Sequence, residues 1–190
     1  VSFCPVVLSA VVYLLGRTKF ASRMPSAAKQ IVIGVLFGGL AVLGTEFGVK
    51  IDGAIINARD ASPICAGLLF GAPAGVIAGV IGGVERWFAV LWGAGEYTRL
   101  ACSISTVLAG VFAAGLRRFM FDDKKPKWFY CLATAVIAEV IHMLMIFLTN
   151  MTDVRTAFSF VRTCSLPMIA VNGIAVMLAG VLLSLLSGWE

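Results

Sequence analysis

Two arginines bracket an apolar, glycine-rich stretch of the chain. Arg59 lies just before it, two residues after Asn57, and Arg86 follows Glu85 at its end. The planar guanidinium group of arginine matches a carboxylate through two parallel hydrogen bonds. Arginines at membrane depth are costly and usually mark function. The pair therefore predicts a site for a small organic anion, although each arginine could instead be an interfacial anchor or pair with Asp60 or Glu85.

The stretch between the arginines contains five glycines at intervals of four residues: Gly67, Gly71, Gly75, Gly79 and Gly83. Small residues at this spacing let helix backbones approach closely in a membrane. The pattern is not a dinucleotide-binding fingerprint, because the spacing differs and no strand precedes it. We therefore interpret the glycines as packing residues rather than ligand contacts.

A thiol and two hydroxyl groups open the next apolar segment, at Cys102, Ser103 and Ser105. Cys102 and Ser105 share one helical face because they are three residues apart. Groups near a helix N-terminus also lie at the positive end of its dipole, which favours an anion. These residues are further candidates for anion binding, and the alternative is that small polar residues pack the helices together.

Glu139 and His142, the only histidine, lie three residues apart inside a later apolar segment. Glu-x-x-His is a metal-ligand spacing in carboxylate-bridged bundles, but such sites need a second motif and further carboxylates. We therefore expect no metal. The pair could form a polar anchor, an interhelical hydrogen bond or a wall of the ligand cavity. The same roles apply to Glu46, near the end of an earlier apolar segment.

The composition is that of an integral membrane protein. Hydrophobic residues make up 60% of the 190 residues and charged residues 13%, whereas soluble domains carry about 25% charged residues. The net charge of +5 is concentrated in two loops, so it indicates membrane topology rather than nucleic-acid binding. The five scattered cysteines lack zinc-site spacing. The sequence shows no phosphate-binding loop, nucleophile elbow or catalytic triad, so we expect neither an enzyme nor a cofactor.

Six apolar segments follow one another along the chain, at residues 3–16, 31–49, 63–84, 100–116, 128–149 and 164–187. The loops 17–30 and 117–127 are the most basic, so both should face the cytoplasm. Three crossings between them would put them on opposite sides. Pro73 removes a helix hydrogen bond in the middle of the third segment and predicts a break there.

We therefore expect an all-α, polytopic membrane bundle with five transmembrane helices plus a glycine-rich broken or re-entrant hairpin at 63–84. The N-terminus would lie outside and the C-terminus inside. Both arginines and the loop 150–163 would then lie on the outer side. Six crossings with a weak charge bias are the alternative.

Three segments in this order resemble the LytS-type five-transmembrane sensor domain: GTEFGVKIDGAIINARD at 44–60, AGLLFGAPAGVIAGVIGGVER at 66–86 and ACSISTVLAGVFAAG at 101–115. AEVIHMLM at 138–145 and LPMIAVNGIAV at 166–176 fit as well, so the resemblance covers nearly the whole chain. It implies a bacterial inner-membrane receptor that senses a small metabolite ahead of a histidine kinase or diguanylate cyclase module. Pyruvate is the best-known ligand of the family.

The predicted ligand-binding residues are those implied by the resemblance together with two neighbours: Arg59, Arg86, Cys102, Ser105, Asn57 and Ser103. One departure from the family is a longer stretch between Arg86 and Cys102. The other is that no effector domain follows Glu190, which is expected of a truncated receptor or a stand-alone membrane module. The short first segment, 3–16, is consistent with an incomplete beginning, and a signal peptide is the alternative.

The sequence thus predicts a single transmembrane sensor domain over residues 1–190 that binds a small carboxylate, pyruvate or a relative, from the outer side. Its expected partners are the lipid bilayer, a cytoplasmic kinase or cyclase module reached through the last helix, and a second copy in a homodimer. A small-solute transporter or substrate-binding membrane subunit is the runner-up, because it would share the broken helix. A purely structural helix-packing protein is the third alternative.

Overall fold

The computed structural model describes residues 3–17, 26–51, 54–93 and 95–187. Seven α-helices form most of it: α1 (Phe3–Arg17), α2 (Ser26–Glu46), α3 (Ala61–Cys65), α4 (Ala72–Phe88), α5 (Arg99–Phe119), α6 (Trp128–Thr149) and α7 (Val154–Ser187). A π-helical turn, Ala66–Phe70, continues α3. Two short antiparallel strands, β1 (Val49–Ile51) and β2 (Ala54–Ile56), connect α2 to α3. Short 3-10 turns at Ala89–Trp92, Glu96–Thr98 and Met151–Asp153 join the remaining helices.

Five helical segments of the described chain are long and apolar enough to cross a membrane: Ser26–Glu46, Ala72–Trp92, Glu96–Phe119, Trp128–Thr149 and Met151–Leu186. The predicted number of five transmembrane helices is therefore confirmed. The set of five differs from the predicted set. The first apolar segment is not among the five, because the apolar part of α1, Val6–Leu15, is shorter than the five spans. The glycine-rich segment instead supplies a full-length helix, Ala72–Trp92.

The break in the glycine-rich segment lies at Gly71 rather than at Pro73. Gly71 has φ 150° and ψ 153°, a backbone conformation open to glycine. Pro73 lies in the first turn of α4. Backbone N–H groups in the first turn have no acceptor within the helix, so proline costs no helical hydrogen bond there. The predicted hairpin of two half-spans within 63–84 is not confirmed. The two limbs are unequal, since only ten apolar residues, Ala61–Phe70, precede the break.

The chain folds back sharply at this break. A Cβ placed on Gly75 would lie 2.5 Å from the Cα of Gly67, so the two limbs touch backbone to backbone. Gln30 of α2 ties both limbs, because its Nε2 donates to the carbonyl of Phe70 at 2.9 Å and its Oε1 accepts from the Ala74 N–H at 3.2 Å. One amide thus satisfies backbone groups that the break leaves without helical partners.

Close glycine contacts define the helix directions: Gly34 with Ile77 and Gly38 with Ile81 between α2 and α4, and Gly75 with Gly110 and Gly83 with Ser103 between α4 and α5. Helix α4 therefore runs parallel to α2 and antiparallel to α5. The first turn of α2 and the last turn of α5 lie at the same end of the bundle. The basic stretches 17–30 and 117–127 adjoin these two ends in sequence, which makes this end cytoplasmic by the positive-inside rule.

Several charged and polar side chains are buried in the interior of the bundle. Arg59 and Arg86 are among the largest fully buried side chains, with 0% and 1% of their surface exposed. Asp60, next to Arg59, is also buried, and further buried polar residues come from three other helices: Thr106 of α5, Glu139 and His142 of α6, and Asn172 of α7. Burying charged groups is expensive unless they are paired. The cluster therefore marks the part of the fold where a specific function is expected.

Candidate functional site

The loop that carries Arg59 is held in place by amide side chains. Asn57 Oδ1 accepts a hydrogen bond from the Arg59 backbone N–H at 3.2 Å, which is a local turn typical of asparagine. Asn172 of α7 donates to the Asn57 carbonyl at 3.2 Å and accepts from the Ala61 N–H at 2.8 Å. The first turn of α3 thus receives one of the acceptors that helix N-termini need. Asn57 and Asn172 act as positioning residues for Arg59.

Arg59 is bound along one edge only. Its Nε donates to Thr106 Oγ1 at 2.7 Å and lies 3.3 Å from Asp60 Oδ1. Thr106 in turn donates to the same Asp60 oxygen at 2.6 Å. The terminal nitrogens Nη1 and Nη2 have no hydrogen-bond partner in the described part of the chain. A fully buried guanidinium group thus keeps its end-on edge available for a bidentate acceptor.

Asp60 is the negative centre of the cluster and lies outside the five transmembrane segments. Its second oxygen, Oδ2, is 2.9 Å from His142 Nδ1. Burial raises the pKa of the Asp60 carboxyl, but the Arg59 guanidinium and the His142 imidazole together outweigh that effect and hold the pKa below its ordinary value. Asp60 is therefore ionised and neutralises one of the buried cations.

His142 connects Asp60 to Cys102. Its Nε2 lies 3.3 Å from Cys102 Sγ, and its Nδ1 faces the Asp60 carboxylate. Cysteine, histidine and aspartate thus form a continuous hydrogen-bonded chain in the bundle interior. The sequence analysis found no triad because His142 is 40 residues from Cys102 and 82 residues from Asp60.

Arg86 approaches the same thiol from α4. Its Nη2 donates to the Gly95 carbonyl at 2.8 Å and to Thr98 Oγ1 at 3.2 Å. The guanidinium groups of Arg86 and Arg59 both interact electrostatically with Cys102, although neither terminal nitrogen of Arg59 reaches hydrogen-bond geometry. The structure therefore brings the two arginines to one place despite their separation in sequence.

Glu139 is a second buried acid beside His142. Neither carboxylate oxygen has a hydrogen-bond partner in the described chain, and Oε2 lies 3.6 Å from His142 Nδ1. Glu139, His142 and Asp60 could present three metal-ligand atoms within 4.8 Å of one another, and Asp60 is a ligand that the sequence argument against a metal did not count. The guanidinium group paired with Asp60 would repel a divalent cation. The absence of a metal stays a prediction.

Three of the residues singled out in the sequence form no hydrogen bond with this cluster in the described part of the chain. Ser105 is buried and lines an apolar groove of about 280 Å³ between α5 and α6. Ser103 donates its hydroxyl to the Arg99 carbonyl at 2.8 Å and lies beside α4. Glu46 is exposed and accepts a hydrogen bond from Trp92 at 2.7 Å, so the role of a cavity residue considered for it is not supported.

Sequence reasoning missed three members of the site. Asp60 was considered only as an ion-pair partner of Arg59, and Thr106 and Asn172 were not singled out. Thr106 follows Cys102 by four residues, so helical spacing could have placed both on one face. Asn172 is a lone amide in a long apolar segment, which is a signal for an interhelical hydrogen bond.

Comparison with known proteins identifies the type of domain. The family described as "5TMR of 5TMR-LYT" matches residues 12–185. Sensor histidine kinase YpdA of Escherichia coli is 25% identical over 144 residues, which cover 76% of this chain and 24% of the relative. Sensor histidine kinase BtsS of Escherichia coli is 28% identical over 148 residues, covering 76% and 25%. Sensor protein LytS of Bacillus cereus is 33% identical over 129 residues, covering 66% and 20%.

The chain spans a quarter or less of the length of these relatives. No solved structure matches the chain. Five apolar helices and the family match together describe a multi-pass protein of the bacterial inner membrane. The chain therefore belongs to the LytS-type family of five-transmembrane sensor domains found in histidine kinases.

Proposed function

We propose that the domain binds a small monocarboxylate, pyruvate or a close relative, at the buried arginines and passes the signal to a cytoplasmic output module. The observation that carries this proposal is the end-on edge of Arg59, whose two terminal nitrogens have no hydrogen-bond partner among the described residues while the side chain is fully buried. Buried polar groups are almost always hydrogen-bonded, so an exception needs an explanation. A carboxylate satisfies both nitrogens at once.

The charge balance of the cluster supports an anion. Asp60 already engages Arg59 Nε, Thr106 and His142 through its two oxygens. Arg86 adds a second buried cation close to Cys102. A bound monocarboxylate would place a negative charge against the terminal nitrogens of Arg59, which neither Asp60 nor Glu139 reaches. A neutral ligand of the same shape would leave those nitrogens without an anionic partner.

Helix α7 is the proposed route to the output module. Asn172 ties α7 to both ends of the Arg59 loop, through the Asn57 carbonyl and the Ala61 N–H. Two of the relatives are named sensor histidine kinases, so a kinase is the proposed output and a cyclase the alternative. Ligand binding shifts the output only if it favours one of two arrangements of these helices. A homodimer stays a prediction, which a mass measurement in detergent would test.

Calorimetric titration of the purified domain tests the binding proposal. Pyruvate should bind and its neutral amide should not. Arg59→Gln should cost about 2–5 kcal/mol of binding free energy, the usual effect of removing one partner of a buried charged pair. Arg155→Gln is the matched control, since Arg155 is an exposed arginine. Equal affinity for acid and amide, or unchanged affinity in Arg59→Gln, would contradict the proposal.

A transporter is the second candidate, and the fold-back at Gly71 favours it. Broken helices near a buried ligand site are typical of secondary transporters. The two functions differ in one measurement. Liposomes that contain the domain should accumulate labelled pyruvate if it is a transporter, whereas a sensor domain should bind pyruvate without net uptake.

A further inference from the structure

The thiol of Cys102 is placed differently from the other described cysteines. Cys65, Cys102, Cys131 and Cys164 are all buried free thiols, but Cys102 Sγ also lies 3.3 Å from an imidazole nitrogen. A cysteine beside a histidine and cationic groups has thiolate character and is nucleophilic. Two buried arginines supply such cationic groups here. The position therefore has the features of a reactive cysteine rather than those of a packing residue.

The hydrogen-bonded chain behind the thiol has a defined direction. The Asp60 carboxylate accepts from His142 Nδ1–H at 2.9 Å, which leaves the Nε2 lone pair facing Cys102 Sγ. In this tautomer the imidazole can take the thiol proton, and the carboxylate stabilises the resulting imidazolium. Nucleophile, base and orienting acid thus come from α5, α6 and the loop before α3.

The ligand proposed for Arg59 carries an electrophile next to its carboxylate. In a 2-oxo acid the ketone carbon is bonded directly to the carboxylate carbon. A carboxylate held by the free edge of Arg59 would therefore bring that ketone close to the Cys102 thiol, which interacts electrostatically with the same guanidinium group. Holding both reactants in one site replaces a bimolecular encounter by a local one.

We propose that Cys102 adds reversibly to the ketone carbon of a bound 2-oxo acid, so that the domain distinguishes 2-oxo acids from other monocarboxylates by forming a covalent hemithioketal. This inference rests on the proposed carboxylate binding at Arg59. His142 Nε2 removes the Sγ proton, and a bond forms between Sγ and the ketone carbon. The carbonyl π electrons move to oxygen, which takes the proton from His142. No oxidant or further reactant is needed, and the reverse steps release the ligand.

Carbon-13 NMR of the full chain in detergent or nanodiscs tests this step with pyruvate labelled at its ketone carbon. The bound ligand should show a signal in the region of a tetrahedral carbon bearing sulfur and oxygen. Because the addition is reversible, an excess of unlabelled pyruvate should replace the labelled ligand and remove this signal. The signal should be missing in Cys102→Ser and present in Cys164→Ala, the matched buried cysteine. A bound ligand whose labelled carbon keeps its ketone shift in the wild-type chain overturns the inference.

Calorimetry separates this inference from the proposed function. The wild-type chain should bind pyruvate roughly tenfold or more tightly than propionate, which lacks the ketone. In Cys102→Ser the affinity for pyruvate should fall to that of the same variant for propionate. Equal wild-type affinities for the two acids would overturn the covalent step and leave carboxylate binding intact. Failure of both acids to bind would overturn the proposed function as well.

Discussion

Replacing Asp60 by asparagine tests whether one buried ion pair holds the site together. The Asp60 carboxylate accepts from Thr106 at 2.6 Å, lies 3.3 Å from Arg59 Nε and faces His142 Nδ1 at 2.9 Å. Asparagine has nearly the same shape but no charge. Its amide nitrogen, itself a hydrogen-bond donor, would face one of the donors that Asp60 now binds: Arg59 Nε, Thr106 Oγ1 or His142 Nδ1. Hydrogen bonds to charged groups contribute about 1.5–3 kcal/mol each. They share one carboxylate here, so the expected loss is that of breaking one buried pair, about 3–5 kcal/mol.

Unfolding of the purified domain in detergent, followed by heat or denaturant, measures this loss. The decrease is a large part of a typical stability of about 5–15 kcal/mol. Asp153→Asn is the matched control, because Asp153 is exposed and asparagine can still accept the hydrogen bond from the Thr156 N–H. A variant Asp60→Asn that unfolds like the wild-type domain would refute the reasoning.

The double variant Arg59→Met with Asp60→Asn sharpens the same test. It removes the cation that Asp60→Asn alone leaves without a counterion. Replacing a buried pair as a whole is often neutral, whereas breaking it is costly. The double variant should therefore be more stable than Asp60→Asn. Additive losses would show that the two side chains do not form an energetically coupled pair.

Two further predictions concern the fold-back and helix α7. Gly75→Leu should lower the unfolding temperature or prevent folding, because even a Cβ there would lie 2.5 Å from Gly67 Cα. Gly39→Leu is the control and should do neither, since no atom of the described residues lies within 4 Å of an added Cβ. The yield of monodisperse protein and its unfolding temperature measure both effects. Asn172→Leu should cost about 1–3 kcal/mol, because the Ala61 N–H loses its acceptor. In a receptor that carries a kinase, this variant should also weaken the autophosphorylation response to ligand, and an unchanged response would argue against the α7 route.

The membrane class of the protein and the importance of Arg59 and Arg86 can be predicted from the sequence. Apolar content and segment lengths predict a membrane bundle of six apolar segments because membrane thickness sets helix length, and the charges of the loops reduce the predicted number of spans to five. Basic loops predict which ends share a side, and the parallel run of α2 and α4 satisfies that prediction. Arg59 and Arg86 stand out in sequence because buried arginines are rare at membrane depth.

The position of the helix break and the hydrogen-bonded chain in the site depend on tertiary contacts that no local sequence pattern shows. The break lies at Gly71 because Gln30, 44 residues before Ala74, supplies partners to both limbs. Pro73 attracts attention as a helix breaker, yet it is harmless in the first turn of a helix. The chain from Cys102 through His142 to Asp60 is invisible for the same reason, since its members meet only after three segments pack together.

The short limb before Gly71 explains why a sensor would use a broken helix. A loop that stayed at the membrane surface would leave Arg59 in water, where a guanidinium group binds a carboxylate only weakly. The limb instead returns into the bundle, so that Arg59 is fully buried and donates to Thr106 of α5, while Asn172 of α7 holds the loop that carries Arg59.

A ligand on the free edge of Arg59 therefore acts on a loop that is already tied to α7. Helix α7 continues for about 15 residues beyond Asn172, roughly 22 Å of helix, to the cytoplasmic end. Tight binding alone transmits nothing along it, because a ligand with equal affinity for two helix arrangements shifts neither. The proposed covalent step would give such a difference a physical basis. It requires Cys102 of α5, His142 of α6 and the Arg59 loop to lie together, so the bound ligand would favour the arrangement of helices in which all three meet.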